Sequence, residues 1–147
     1  MFSKEEALQI KKDFWIAFAA EYPRKWILYN TKIKDFTFKF HVDNKKAQVL
    51  LDIEPKDENK RIVYYEKVES LKNILMEEYL PDAIFERNFY LQNGKILSRV
   101  WVEKEGISIN NKKTWPEVFE FFSEKMDAFE RFFFEHEDYI KDLEINT

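Results

Sequence analysis

Near residue 36 the spacing of apolar residues changes from a helical period to a period of two. Phe36, Phe38, Phe40 and Val42 alternate with Thr37, Lys39 and His41. Past Asn44-Lys45 the alternation resumes through Ala47, Val49, Leu51 and Ile53. Such a pattern gives a strand pair one face for a core and one for solvent. It predicts a β-hairpin turning at 44–45. A second hairpin is predicted around Asn93-Gly94, which separates IFERNFYL from KILSRVWVEKE. Asn-Gly between alternating runs is the strongest short-range turn signal.

The two hairpins are related. Sliding the sequence by 49 lays Phe36, Phe40, Val42, Asn44, Lys46, Leu51, Ile53 and Glu54 on Phe85, Phe89, Leu91, Asn93, Lys95, Val100, Val102 and Glu103. Each hairpin is followed by a helical pattern, so a hairpin–helix repeat is expected over about 36–80 and 85–145. One hairpin cannot bury its apolar face alone, but two side by side make a four-stranded antiparallel sheet.

Three helices are predicted around these hairpins. Ser3-Lys4-Glu5-Glu6 reads as a capping box, with Ala7, Ile10, Phe14, Ala17 and Phe18 at helical spacing until Pro23. This places the first helix at about 4–22. A second runs from after Pro55–Asn59 to about Leu80, stopped by Pro81. Thr114-Trp115-Pro116-Glu117 reads as another capping box. It opens a last helix of roughly 30 residues, about 45 Å long, with Phe122, Met126, Phe129, Phe133, His136, Ile140 and Leu143 along one seam. The order is α-ββ-α-ββ-α. The fold class is α+β, a two-layer sandwich with the helices on one face of the sheet. A length of 147 residues points to one domain spanning 1–147.

Composition removes several function classes. There is no Cys, so disulfides, thiolate metal sites and Cys nucleophiles are excluded. Two glycines leave no phosphate-cradling loop. A net charge of −4 argues against broad binding to phosphate backbones. The N-terminal stretch carries charges where a signal peptide needs an apolar run, and no run reaches membrane-spanning length. A cytoplasmic protein without a membrane partner is expected.

Three constellations remain as candidate sites. The first resembles the acid–acid–lysine pattern of metal-dependent nucleases, which hold a cation between two carboxylates. Asp43 lies at the hairpin tip, some 27 Å from Glu54 at 3.3–3.4 Å per residue. The hairpin register instead sets Asp35 across from Glu54, with Lys56 beyond and Asp52 nearby. Asp35, Glu54 and Lys56 are therefore the candidate catalytic set, against the plain reading of solvated strand ends. Pro55 counts against it, because proline cannot donate to the ladder.

The second constellation is Arg87 and Ser98. A two-residue turn at 93–94 sets Arg87 and Ser98 on the inward face, where the first repeat has Phe38 and Val49. A guanidinium there needs a partner. It would be an anion site, or an ion pair with a Glu of a covering helix. The third is the outward face, where Arg99 and Trp101 stand with Glu86, Asn88, Tyr90, Leu97 and Leu50. Aromatic and Arg groupings favour protein interfaces. Residues 22–34 carry Arg24, Lys25, Lys32 and Lys34 with no acid, among Tyr22, Trp26 and Tyr29, a pattern shared with single-strand nucleic-acid binders. His41 and His136 share no metal-ligand spacing, and His136 is expected to be a hydrogen-bonded core histidine. The three consecutive rings of Phe132, Phe133 and Phe134 exceed what one helix face buries. They point to a core between layers or to a helix-mediated dimer.

Phe14-Trp15 with Phe18, Trp26, Glu69 with Leu71-Lys72, Ile74 and Glu77, and Trp115 before a Phe-rich helix resemble an uncharacterised bacterial family, a domain of unknown function. The resemblance covers nearly the whole chain. It implies a domain found alone or fused behind nuclease-like or DNA-modification-associated domains, and it carries over no catalytic residues. The function expected is a non-catalytic interaction or accessory module, with another protein or a second copy as partner and no cofactor or metal. The alternatives are a metal-dependent nuclease-like or nucleic-acid-associated protein, with nucleic acid disfavoured as partner, and a binder of small anionic ligands.

Overall fold

A computed structural model describes residues 3–143. Helix α1 spans Lys4–Glu21, and β1 (Phe36–Val42) and β2 (Lys46–Ile53) form the first hairpin. Helices α2 (Glu58–Ser70) and α3 (Lys72–Glu78) follow. The second hairpin is β3 (Ile84–Tyr90) and β4 (Ile96–Glu105), and α4 (Trp115–Lys141) closes the chain. The four strands form one antiparallel sheet in the order β1-β2-β4-β3, and the helices give the α+β arrangement its second layer. The expected end of the second repeat at 145 lies outside the described residues.

Helix α1 starts as its sequence dictates. The Ser3 hydroxyl accepts from the Glu6 N–H, and the Glu6 carboxylate accepts from the Ser3 N–H. The first hairpin also takes its expected register, with Phe36 opposite Ile53 and Val42 opposite Ala47. Its inward row, Phe36, Phe38, Val49, Leu51 and Ile53, is almost wholly buried. Phe38 meets Phe129 at 5.5 Å between ring centroids, and Phe36 meets Phe133 at 5.7 Å, so α4 lies across this face. Burying each such ring contributes about 1.5–3 kcal/mol.

Three local expectations are corrected. The second helix breaks at Leu71 instead of running to Leu80. A continuing helix would present the Lys67 carbonyl to the Leu71 N–H, but the Ser70 hydroxyl donates to that carbonyl at 2.6 Å. The Leu71 N–H turns to Val68 instead, which tightens the last turn and redirects the chain.

The capping box at Thr114 does not form. Its hydroxyl is directed at the Ser108 and Asn111 carbonyls and accepts from the Ser108 N–H, so it serves the preceding loop. Trp115 anchors the same loop, its indole N–H donating to the Ile109 carbonyl at 2.8 Å.

The second hairpin has a different register. Leu91 pairs with Lys95 around Gln92, Asn93 and Gly94, and Gly94 adopts φ +87°. The turn therefore holds three residues, with glycine at the left-handed position that closes such loops. The register shifts again between Glu86 and Phe89, so Phe85 faces Val100 while Phe89 faces Leu97. This bulge turns Phe89 to the outer face, beside Trp101 at 5.7 Å.

Candidate binding site

The sites expected from sequence are largely occupied by their own neighbours. Asp35 meets Glu54 through the backbone, the Glu54 N–H donating to the Asp35 carbonyl at 2.8 Å. Asp35 and Lys56 line one small cavity with Tyr64 and Lys60, and Glu54 is absent from its lining. The Glu54 carboxylate lies on the outer face, held by Lys95 at 2.8 Å and Lys39 at 3.2 Å. Among the described residues, no group of three or more His, Asp or Glu side chains is arranged to hold a metal ion.

The Arg87 side chain parts from Ser98, although the Ser98 hydroxyl donates to the Arg87 carbonyl at 2.7 Å. Arg87 is exposed and pairs with Glu66 at 3.2 Å and Glu69 at 3.8 Å, both on α2. Ser98 is buried beneath Arg61, a residue the sequence did not single out. The Arg61 guanidinium donates to the Arg87 carbonyl and the Ser98 hydroxyl, each at 2.7 Å, and to the Asn88 side chain at 3.0 Å. It thus satisfies the backbone carbonyl that the bulge leaves out of the ladder.

Arg99 is 13% exposed in its side chain and grips Asp52 with two nitrogens, at 2.6 and 3.0 Å. Its guanidinium also lies 4.3 Å from the centre of the Phe89 ring. Trp101 is half-buried, its indole N–H donating to Glu103 at 3.0 Å. Asp52, buried on this outer face, is shared with Lys39 at 3.1 Å. Burial pulls the Lys39 ammonium down, but Asp52 and Glu54 outweigh it and raise its pKa above the ordinary value.

His136 is half-buried and bonds the Phe132 carbonyl at 2.9 Å. Phe132 and Phe133 are buried and Phe134 is exposed.

A larger opening than the Asp35–Lys56 cavity lies elsewhere, in the segment with the basic and aromatic pattern. Trp15, Phe18, Ala19 and Tyr22 fall on one face of α1 by helical spacing. Pro23 ends the helix and the chain crosses beside β1 through Arg24, Trp26, Leu28 and Tyr29. Between these walls and residues Thr37–Phe40 lies a groove of about 570 Å³. That is within the roughly 300–1,000 Å³ of clefts that hold small ligands.

Its rings are interlocked. Phe18 stacks on Trp26 at 6.0 Å, Trp26 meets Phe40 edge-on at 5.6 Å, and Trp15 stacks on Phe122 at 5.9 Å. Arg24 lies 3.9 Å over the Trp26 ring. Glu130 of α4 fixes this wall, accepting from the Ile27 N–H at 2.7 Å and from Arg24. Asp127 adds a contact to Arg24 at 3.2 Å. Glu130 escaped the sequence reading, although an acid at helical spacing between Met126 and Phe133 is the signal that marks it.

Two further features mark this region. Strand β1 is an edge strand, and its odd-numbered residues bond to β2. The even-numbered ones therefore face away from the sheet. Leu28 takes the Phe38 N–H at 3.0 Å, and the Thr31 hydroxyl donates to the Phe36 carbonyl at 2.7 Å. Beyond them the Phe38 carbonyl and both backbone groups of Phe40 have no partner among the described residues. In addition, Leu28, Lys32 and Asp35 all adopt positive φ, at 45°, 65° and 60°. Left-handed backbone at a non-glycine residue costs about 1–2 kcal/mol, and such residues cluster at functional sites.

The fold and the groove define a class, a small α+β sandwich with an open antiparallel sheet and an aromatic cleft at one edge. The chain belongs to the family described as a domain of unknown function, DUF4268, whose family model matches residues 10–137. No curated protein and no solved structure matched the chain. No helix among the described residues is long and apolar enough to cross a membrane.

Proposed function

We propose that the protein is a non-catalytic binding module, an interaction or accessory domain whose working surface is the groove between α1, residues 23–29 and β1. The observation that carries this reading is an open aromatic cavity beside unpaired backbone groups of an edge strand. Surfaces that combine apolar depth with a few polar groups are where proteins take their ligands. The nuclease-like reading draws support from Asp35 and Lys56 around one cavity, and the two lysines on Glu54 weigh against it. The anion-binding reading is weakened by the pairing of Arg87 with Glu66 and Glu69.

Indole tests the groove directly as a probe of its aromatic lining. Titrated at millimolar concentration into the ¹⁵N-labelled chain, it should shift amides of residues 15–29 and 37–40. The variant Ala19→Arg, which fills the groove from an exposed helical position, should abolish those shifts. Shifts confined to another surface, or none at all, would count against the reading.

A further inference from the structure

We infer that the groove receives an extended acidic segment of another protein, which adds to β1 as a fifth strand and seats one large apolar side chain among Trp15, Phe18, Trp26 and Phe40. The inference rests on the groove being the binding site and names what fills it.

The free edge dictates the form of the occupant. The Phe38 carbonyl, the Phe40 N–H and the Phe40 carbonyl point away from β2 and lack partners among the described residues. A neighbouring extended chain satisfies such a row by strand addition. Leu28, on the Phe38 N–H, bounds the row at one end, and at the other the row runs out with β1 at Val42. The opening thus suits a short segment.

Pleating dictates where its side chains go. A residue placed opposite Phe40 projects to the same side of the sheet as Phe40, which is the groove side. An apolar side chain there meets the rings already stacked in the cavity. Residues on either side of it project to the outer face, beside the β1 row of Thr37, Lys39 and His41. In that row Lys39 is already shared by Asp52 and Glu54, and His41 contacts Asp43, so the charge that selects an occupant lies in residues 22–34.

Charge selects between occupants. Residues 22–34 carry Arg24, Lys25, Lys32 and Lys34 and no acid, although the whole chain is net negative. No ion pair among the described residues engages Lys25, Lys32 or Lys34. A second copy paired through β1 about Phe40 would bring Lys39 against His41 and would add no carboxylate for the unpaired lysines of residues 22–34. It would also need the Phe38 N–H that Leu28 already holds. An acidic segment meets neither obstacle.

The test is selection of 12-residue peptides from a random displayed library against the full chain, followed by backbone N-methyl scanning of a selected peptide. The expected peptides carry one large apolar anchor flanked by Asp or Glu and fail to bind Ala19→Arg. Methylating alternate amides should weaken binding about tenfold or more, as expected when backbone hydrogen bonds are lost, and methylating the intervening amides should not. Peptides that require the open groove yet show no alternation would overturn strand addition and leave the groove reading standing. Peptides indifferent to Ala19→Arg, or no peptides at all, would overturn both. A dimer of the chain alone that Ala19→Arg dissociates would make the occupant a second copy and overturn the inference.

Discussion

The backbone N–H of Ile27 donates to the carboxylate of Glu130 at 2.7 Å, tying the middle of α4 to the wall of the groove. The same carboxylate holds Arg24 against Trp26. Glu130 is buried, so removing it leaves a backbone donor without a partner and frees the Arg24 side chain. Glu130→Ala is expected to cost about 1–3 kcal/mol in urea unfolding. Glu130→Gln, which keeps an acceptor, should cost less. Both variants should weaken indole binding more than a surface change such as Glu120→Gln does.

Arg61 and Ser98 both donate to the Arg87 carbonyl, and Arg61 also donates to the Ser98 hydroxyl. Their contributions to stability should not add. Ser98→Ala is expected to cost about 1 kcal/mol and Arg61→Leu somewhat more. The double variant should differ from the sum by about 0.5–3 kcal/mol, the range for residues in one network. A sum that closes to within measurement error would mean that the bulge is held without them.

Acid should unfold the protein partly through two carboxylates. Burial raises the Asp43 carboxyl, but the His41 contact and the N–H groups of Lys45 and Lys46 outweigh it and lower its pKa below the ordinary 3.8. Hydrogen bonds from Gln48 and Trp101 lower Glu103 below the ordinary 4.5, with burial opposing them. A folded-state pKa below the unfolded one means that the unfolded chain binds more protons in the window between them. Stability from both groups is therefore complete above about pH 5 and is lost as pH falls through the folded values. The urea midpoint should decline on acidification, and the decline should be shallower in Asp43→Asn with Glu103→Gln.

Millimolar Mn²⁺ is expected to leave the thermal midpoint unchanged, because two lysine ammonium groups already occupy the Glu54 carboxylate. A cation at about 100 times its dissociation constant would add roughly 2.7 kcal/mol, several degrees for a domain of this size. A rise of that size, lost in Glu54→Gln, would restore the metal-dependent reading of Asp35, Glu54 and Lys56.

Much of the fold was legible because its signals are local. Ser3 and Glu6 cap α1 through neighbours three residues apart, and the alternation from Phe36 to Ile53 sets the first register residue for residue. The second hairpin departs from its expected register twice: Gln92 joins Asn93-Gly94 in a three-residue turn, and the bulge is held by Arg61, which reaches it from α2 and leaves no mark in the hairpin itself. The break at Leu71 turns on one serine hydroxyl, and serine is common inside and outside helices. The candidate site was only half visible. Residues 22–34 stood out for their charge and rings, but the turns that bring them beside β1 use Leu, Lys and Asp at positive φ. Residues of these types give no warning of such a backbone.

The sheet order β1-β2-β4-β3 has a consequence for the order of events in folding. Each hairpin closes over a short turn, so β1 with β2 and β3 with β4 can pair soon after their turns form. The seam between β2 and β4 joins residues 46–53 to 98–105, and all of α2, α3 and β3 must be gathered in before it closes. Long-range closures of this kind carry the entropy that slows a chain. Val49 against Val102 and Leu51 against Val100 are thus the contacts at which two separate hairpins become one sheet.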